Sequence, residues 1–239
     1  MSRALIIYFM YKSVVTETNF KKTAAYSQKE LTLLLRFGSW MTLSNLLSPI
    51  MDVLDKFVLS AKLGAVNIVF YTVPFDLFSR LFILPTAVTS VAFPKFSELW
   101  ASYSSELNQL YRATLILVVL FMLCICIFMG VFSKGFLSIW IDPSFAEKAH
   151  QVSLVLMVGI YFNCVARVPF ALIQSTGDSK VTAKVHVLEC ALYLPSMYVC
   201  ISNFGMLGAA YVWVARVTFD ALVLLYIANS KLRSRCYSC

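Results

Sequence analysis

The feature that most constrains this chain is a series of apolar runs, each long enough to cross a lipid bilayer. Runs matching the ~20 residues that a hydrocarbon core requires recur at 37–63, 66–93, 113–132, 152–173, 181–201 and 206–228. Inside a bilayer every backbone N–H and C=O must be satisfied within the protein, and runs of this length leave only helices to do it. The expected fold is therefore all-α, a polytopic transmembrane helical bundle. Composition agrees, with 60% hydrophobic residues, 13% charged and a mean hydropathy of +0.78, against about 25% charged in soluble domains. The two longest runs should tilt or kink at Pro49, Pro74 and Pro85, because proline removes a helical hydrogen bond.

The net charge of +8 invites a nucleic-acid reading, but its distribution gives a simpler one. If residues 12–30 are cytoplasmic and the spans alternate, the inner side receives Lys21, Lys22, Lys95, Arg112, Lys180, Lys184 and the basic tail after Asn229. The outer side receives only Lys62, Lys134 and Lys148. That bias is the positive-inside pattern, so both termini are expected in the cytoplasm, with the lipid bilayer rather than nucleic acid as partner. Three segments follow: residues 1–30 as a short apolar stub (Ala4 to Tyr11) plus a polar linker, 31–229 as the bundle, and 230–239 as a tail. The stub is too short to span at ~1.5 Å per residue and has no cleavage site of a signal peptide. It reads as a disordered start or as the last turns of a helix.

Five of the seven cysteines lie in apolar runs, where a free thiol behaves as a small hydrophobe. Cys236 and Cys239 form half of a zinc or redox motif without its other half. Residues 94–111 place Phe96, Leu99, Trp100, Tyr103, Leu107 and Leu110 at helical spacing, as in a helix lying in the membrane interface or packed on the bundle.

The spans carry charge where lipid disfavours it, at about 2.5–3.5 kcal/mol per residue on translocon scales. Asp52 and Lys56, Asp76 and Arg80, and Arg216 and Asp220 are each four apart, a spacing that pairs them on one helix face. Polar stripes extend these pairs: Asn45, Ser48, Asp52 and Asp55 on the first span; Thr72, Asp76, Ser79, Arg80, Thr86 and Ser90 on the second; Asn163, Arg167 and Gln174 on the fourth; His186, Glu189 and Tyr193 on the fifth. The third span, 113–132, has no charge and is expected to face lipid or act as scaffold. Wet faces on most helices point to a hydrophilic cavity; the alternative is a dry bundle whose ion pairs fix helix register.

No catalytic constellation competes. The sequence lacks a phosphate-binding G-x-x-x-x-G-K-[ST] loop, an H-E-x-x-H zinc motif and a G-x-S-x-G elbow. The expectation is a non-enzyme with no cofactor and no metal.

The stretches "LDKF" (Leu54–Phe57), "TVPFD" (Thr72–Asp76), "TAKVH" (Thr182–His186) and "ARVTFDAL" (Ala215–Leu222) resemble bacterial polysaccharide-unit flippases. These are the O-antigen translocases of the multidrug/oligosaccharidyl-lipid/polysaccharide exporter superfamily. The resemblance runs from about Phe37 to Ala228, in the order of their second half. Lys56 stands where arginine is usual and Asp76 where glutamate is usual. The resemblance implies a twelve-helix transporter of two six-helix lobes around a cavity that opens to each side of the bacterial inner membrane in turn. This chain would supply one lobe with its first helix largely missing, Ala4–Tyr11 matching that helix's tail end, and a missing N-terminal lobe or a second copy would complete it. The implied cargo is an undecaprenyl-diphosphate-linked oligosaccharide. Lys56, Arg80, Arg167 and Arg216 would then meet its phosphates, with Asn45, Asn163 and Gln174 beside them. Arg167 is the basic residue with no acid three or four positions away. Asp55, Glu189 and Asp220, with His186, would serve ion coupling, and Asp52 and Asp76 would balance charge. A non-transporting structural subunit and a drug or toxin exporter of the same superfamily are the alternatives. Four bases against five acids within the spans leave the cavity's sign near neutral.

Overall fold

The structure, a computed structural model, describes residues 28–64 and 67–236. Among these no strand occurs, and the elements in order are α1 (Gln28–Leu63), α2 (Val69–Phe78), a 3-10 segment (Ser79–Phe82), α3 (Ile83–Ala101), α4 (Glu106–Trp140), α5 (Pro143–Ser175) and α6 (Ser179–Cys236). The stub Ala4–Tyr11, the linker before residue 28 and the Cys239 end of the C-x-x-C lie outside the described residues. Residues Phe37–Cys239 form one compact unit, and the packing below is that of this unit.

Four helical stretches are long and apolar enough to cross a membrane: Val69–Ala101, Glu106–Trp140, Pro143–Ser175 and Ser179–Arg235. The first combines α2, the 3-10 segment and α3 into one rod of 33 residues. Its irregular turn lies between Pro74 and Pro85, where proline's missing N–H breaks the α ladder. The last is two limbs in one: the backbone leaves helical geometry at Gly205 (φ 59°, ψ −134°), a conformation open essentially to glycine. A Cβ on Gly208 would overlap the Cys200 carbonyl, so glycine there lets the limbs meet closely. They run antiparallel, as the contacts His186–Asp220 and Asp178–Lys231 require. With α1, the described residues thus supply six rods.

α5 is the hub, packed against α2, α3, α4 and α6. It starts cleanly because Asp142 accepts hydrogen bonds from the amides of Ser144 (2.8 Å) and Phe145 (3.2 Å), and from the Ser144 hydroxyl, with Pro143 in the first turn. The Ser144 hydroxyl and these two amides hold the Asp142 carboxyl below the usual carboxylate range. Across the core, Trp213 meets Phe75 edge to face, with ring centroids 5.1 Å apart.

α4 divides as its sequence suggests. Thr114, Val118, Met122, Cys126 and Gly130 are buried at steps of four, while Ile116, Leu120, Phe121, Ile127 and Val131 are exposed. An apolar face of this kind is suited to lipid. The expected interfacial helix over 94–111, by contrast, is not a separate element. Its first half is the end of α3 and its second the start of α4, joined by a turn in which Tyr103 has φ 55°. Phe96, Leu99 and Leu107 of the stripe are buried, as packing on the bundle requires, while Tyr103 is exposed.

Candidate functional site

The polar residues of the spans sort into two groups. The first is an open face on α1, α2, the 3-10 segment, α3 and α5. Lys56 on α1 and Asp76 on α2 form an ion pair of 2.7 Å, with their side chains 34% and 58% exposed. This corrects the expected pairing along one helix, because Asp76 reaches across to the neighbouring rod. Arg80 falls in the 3-10 segment, where the four-residue α spacing no longer aligns side chains. It is exposed, and no carboxylate pairs with it among the described residues. Asn45, Thr86 and Ser90 are exposed too, and Asn163 is half-buried.

Arg167, half-buried on α5, lies at the edge of this face. Its Nη1 donates to the Thr86 hydroxyl at 3.0 Å, and its guanidinium sits 5.0 Å from the centre of the Phe82 ring. A planar cation is thus held from two sides by a neighbouring rod. The sequence placed Thr86 on a polar stripe but gave no sign that Arg167 would be its partner. The aromatic support from Phe82 was missed, since a phenylalanine in an apolar run carries no distinguishing signal.

The second group is buried. His186 and Glu189 on the first limb of α6 and Asp220 on the second bring one ligand atom each to within 4.8 Å of one another. His186 Nε2 is 3.7 Å from Asp220 Oδ1, and the imidazole stacks on Phe170 of α5 at 5.9 Å. Arg216, 8% exposed, stands beside Glu189. It donates to Met51 Sδ of α1 at 3.5 Å and covers the Tyr193 ring at 5.0 Å. Asp55, 2% exposed, faces Tyr193 from α1. Glu189, Tyr193, Ser196 and Arg216 border a cavity of about 230 Å³ between the limbs. The cluster unites three rods, combining carboxylates, an imidazole, a phenol and one guanidinium. Such a set can hold and pass a proton, or hold a small cation between Glu189, Asp220 and His186, with Arg216 opposing any larger positive charge.

Two residues expected to face substrate belong elsewhere. Arg216 is part of the buried cluster, and Gln174 is 5% exposed, because both lie on the sides of their helices turned toward neighbouring rods. Asp52 lies outside the residues whose side chains the structure describes.

The sequence and the fold are similar to those of known proteins. The chain is 34% identical over 206 residues to a Shigella flexneri protein named "Putative O-antigen transporter", covering 84% of this chain and 48% of that protein. A membrane protein of Methanocaldococcus jannaschii is 23% identical over 213 residues, which are 87% of this chain and 42% of that protein. The fold resembles a Vibrio cholerae MATE transporter in its bent form, with a TM-score of 0.79 at 17% identity over 97% of this chain and 54% of that one. It also resembles a transporter of the MOP superfamily from Pyrococcus furiosus, with a TM-score of 0.68 at 16% identity over 81% of this chain and 44% of that one. The chain therefore spans about half the length of the relatives it matches. Residues 3–149 match the polysaccharide biosynthesis protein family, and this multi-pass membrane chain belongs to that family.

Proposed function

We propose that the chain forms one lobe of a transporter that moves undecaprenyl-diphosphate-linked oligosaccharide units across the bacterial inner membrane for surface polysaccharide synthesis. The observation that carries this reading is the open face. Lys56, Arg80 and Arg167 lie on membrane-length rods, exposed or half-buried, where only a wet cavity makes them tolerable. Guanidinium and ammonium groups are the natural partners of diphosphate oxygens. The kinship with the Shigella flexneri protein supports polysaccharide as the cargo class. A first lobe, or a second copy of this chain, closes the cavity. The buried cluster of Asp55, His186, Glu189 and Asp220 couples the movement to an ion.

Complementation of a flippase-deficient cell tests the reading. Expressed alone, the chain should not restore surface polysaccharide, since the polar faces of one lobe would meet lipid at several kcal/mol per unsatisfied group; restoration by the chain alone would make a second copy of it the closing lobe. Fused behind the first half of the Shigella flexneri protein, it should restore it. A fusion that inserts normally, leaves the cell without polysaccharide and instead expels cationic dyes would favour the drug-exporter alternative. A fusion that inserts and exports neither would favour a structural subunit. Reporter fusions at Asp142 and Ser179 should report opposite sides, Asp142 outside.

A further inference from the structure

The turn between α3 and α4 lies within the amphipathic stretch 94–111, and transport leaves it unused. It meets the end of α6 through Arg235. The Nη2 of Arg235 donates to the carbonyls of Leu99 and Trp100, both at 2.9 Å. These belong to the last turn of α3, the negative end of the helix dipole, which attracts a cation. The guanidinium lies 4.7 Å from the centre of the Trp100 ring and 5.2 Å from that of Tyr103. Two carbonyls and two aromatic faces fix its plane. None of these four groups carries a negative charge, and among the described residues no carboxylate pairs with Arg235. Its Nη1 is buried and has no acceptor among those residues, a destabilising condition for a donor.

Beside this guanidinium is a cavity of about 200 Å³. Ser104, Ser105 and Asn108 supply polar groups to its wall, while Leu107 and Leu232 supply apolar surface, and no acid lines it. The left-handed Tyr103 (φ 55°) turns the chain so that Ser104 and Ser105 follow directly on the aromatic pair. The site sits where three rods end or begin: α3 stops at Ala101, α4 starts at Glu106 and α6 runs out at Cys236. In a bilayer the ends of membrane-length rods lie in the headgroup layer, where Trp and Tyr also concentrate.

We infer that this cavity is a binding site for the phosphate headgroup of an anionic phospholipid, with Arg235 as its charge partner. The serine hydroxyls and the Asn108 amide donate to phosphate oxygens, and Leu107 and Leu232 meet the glyceryl and first acyl carbons. Lys231, one turn before Arg235, is occupied by Asp178 at 2.7 Å. Arg235 is therefore the cation positioned for the lipid. The inference is independent of the cargo that the open face carries.

The test uses the whole chain purified in an uncharged detergent, with dihexanoyl phosphatidylglycerol, dihexanoyl glycerol and inorganic phosphate as separate additives. The phosphatidylglycerol should raise the thermal midpoint by about 3 °C or more near saturation, and native mass spectrometry should retain one bound copy. The phosphate-free lipid should give no shift. Arg235→Gln should abolish the shift, while Arg233→Gln, an exposed neighbour, should keep it. Should Arg235→Gln fail to fold, Ser105→Glu decides. An acid at a helix start is well tolerated, yet it places a negative charge in the cavity wall and should expel the lipid. Retention of the shift in Ser105→Glu, or an equal shift with dihexanoyl glycerol, overturns the site. A full shift with inorganic phosphate alone overturns the lipid as its occupant.

Discussion

The open face and the buried cluster draw on the same residue types and solve opposite problems. On the open face, charges are few, spread over four elements and partly exposed; Lys56 and Asp76 form an ion pair, and Arg80 is exposed. In the cluster, charges from α1 and both limbs of α6 converge where Asp55, Glu189 and Arg216 are each less than 10% exposed. Burial makes each charge in the cluster depend on its neighbours, because removing one partner strands another in a low-dielectric interior. Exposure makes the charges of the open face nearly independent of one another and available to something outside the chain. The difference separates a region built to bind from a region built to stay balanced or to exchange one small ion.

The comparison breaks most visibly under truncation of an arginine. Arg216→Met leaves Glu189 and Asp220 facing each other without the guanidinium and should cost about 3–5 kcal/mol. Membrane abundance and detergent-solubilised thermal stability should both fall sharply. Arg80→Met, the same change on the open face, should leave both near the parent values. Equal losses in the two variants would mean that Arg80 too holds the bundle together and that the distinction is false.

How much of this was readable beforehand follows from which contacts are local. The exposed apolar side of α4 was legible because 113–132 has no charge and a helix turns with a fixed period. His186 and Glu189 were legible as one face because they are three apart. Asp220 joins them only because Gly205 reverses the chain, and nothing in the local pattern around Asp220 states which limb it will meet. The Lys56–Asp76 pair defeated the reading for a related reason. Each residue had a plausible partner four positions away, and the choice between a helix's own neighbour and another helix depends on packing that no single stripe records. Arg235 was read only as part of a basic tail, since its carbonyl partners at Leu99 and Trp100 lie more than a hundred residues earlier.

A middle-sized effect is expected at Arg167, which bridges the two halves of the comparison: half-buried, yet at the edge of the open face. Thr86 and Phe82 hold its plane from α3 and the 3-10 segment, and a guanidinium fixed in this way has the fork geometry that diphosphate oxygens match. Lysine keeps the charge and loses that geometry. In a lobe-complete transporter, Arg167→Lys should reduce polysaccharide export about tenfold, the loss of one charge-assisted hydrogen bond, with abundance unchanged. Arg167→Ala should reduce it further. Normal export by Arg167→Lys, together with lowered abundance in Arg167→Ala, would make this residue a structural charge.

The smallest effect is the most discriminating, because it reports what the open face touches. The Lys56–Asp76 pair is short, at 2.7 Å, but its side chains are 34% and 58% exposed in the lobe. If that surface meets water in a transport cavity, solvent screens the pair and its coupling energy should lie between about 0.2 and 1 kcal/mol. If the surface instead meets lipid, each stranded charge costs about 2.5–3.5 kcal/mol, and removing one partner should be far worse than removing both. A double-mutant cycle of Lys56→Met, Asp76→Leu and the pair of changes, read by thermal stability of the lobe-complete protein, separates the cases. The wet face requires single variants within about 1 kcal/mol of the parent and nearly additive effects. A double variant clearly more stable than either single one would place this face against lipid and remove the ground for a cavity on this side of the bundle.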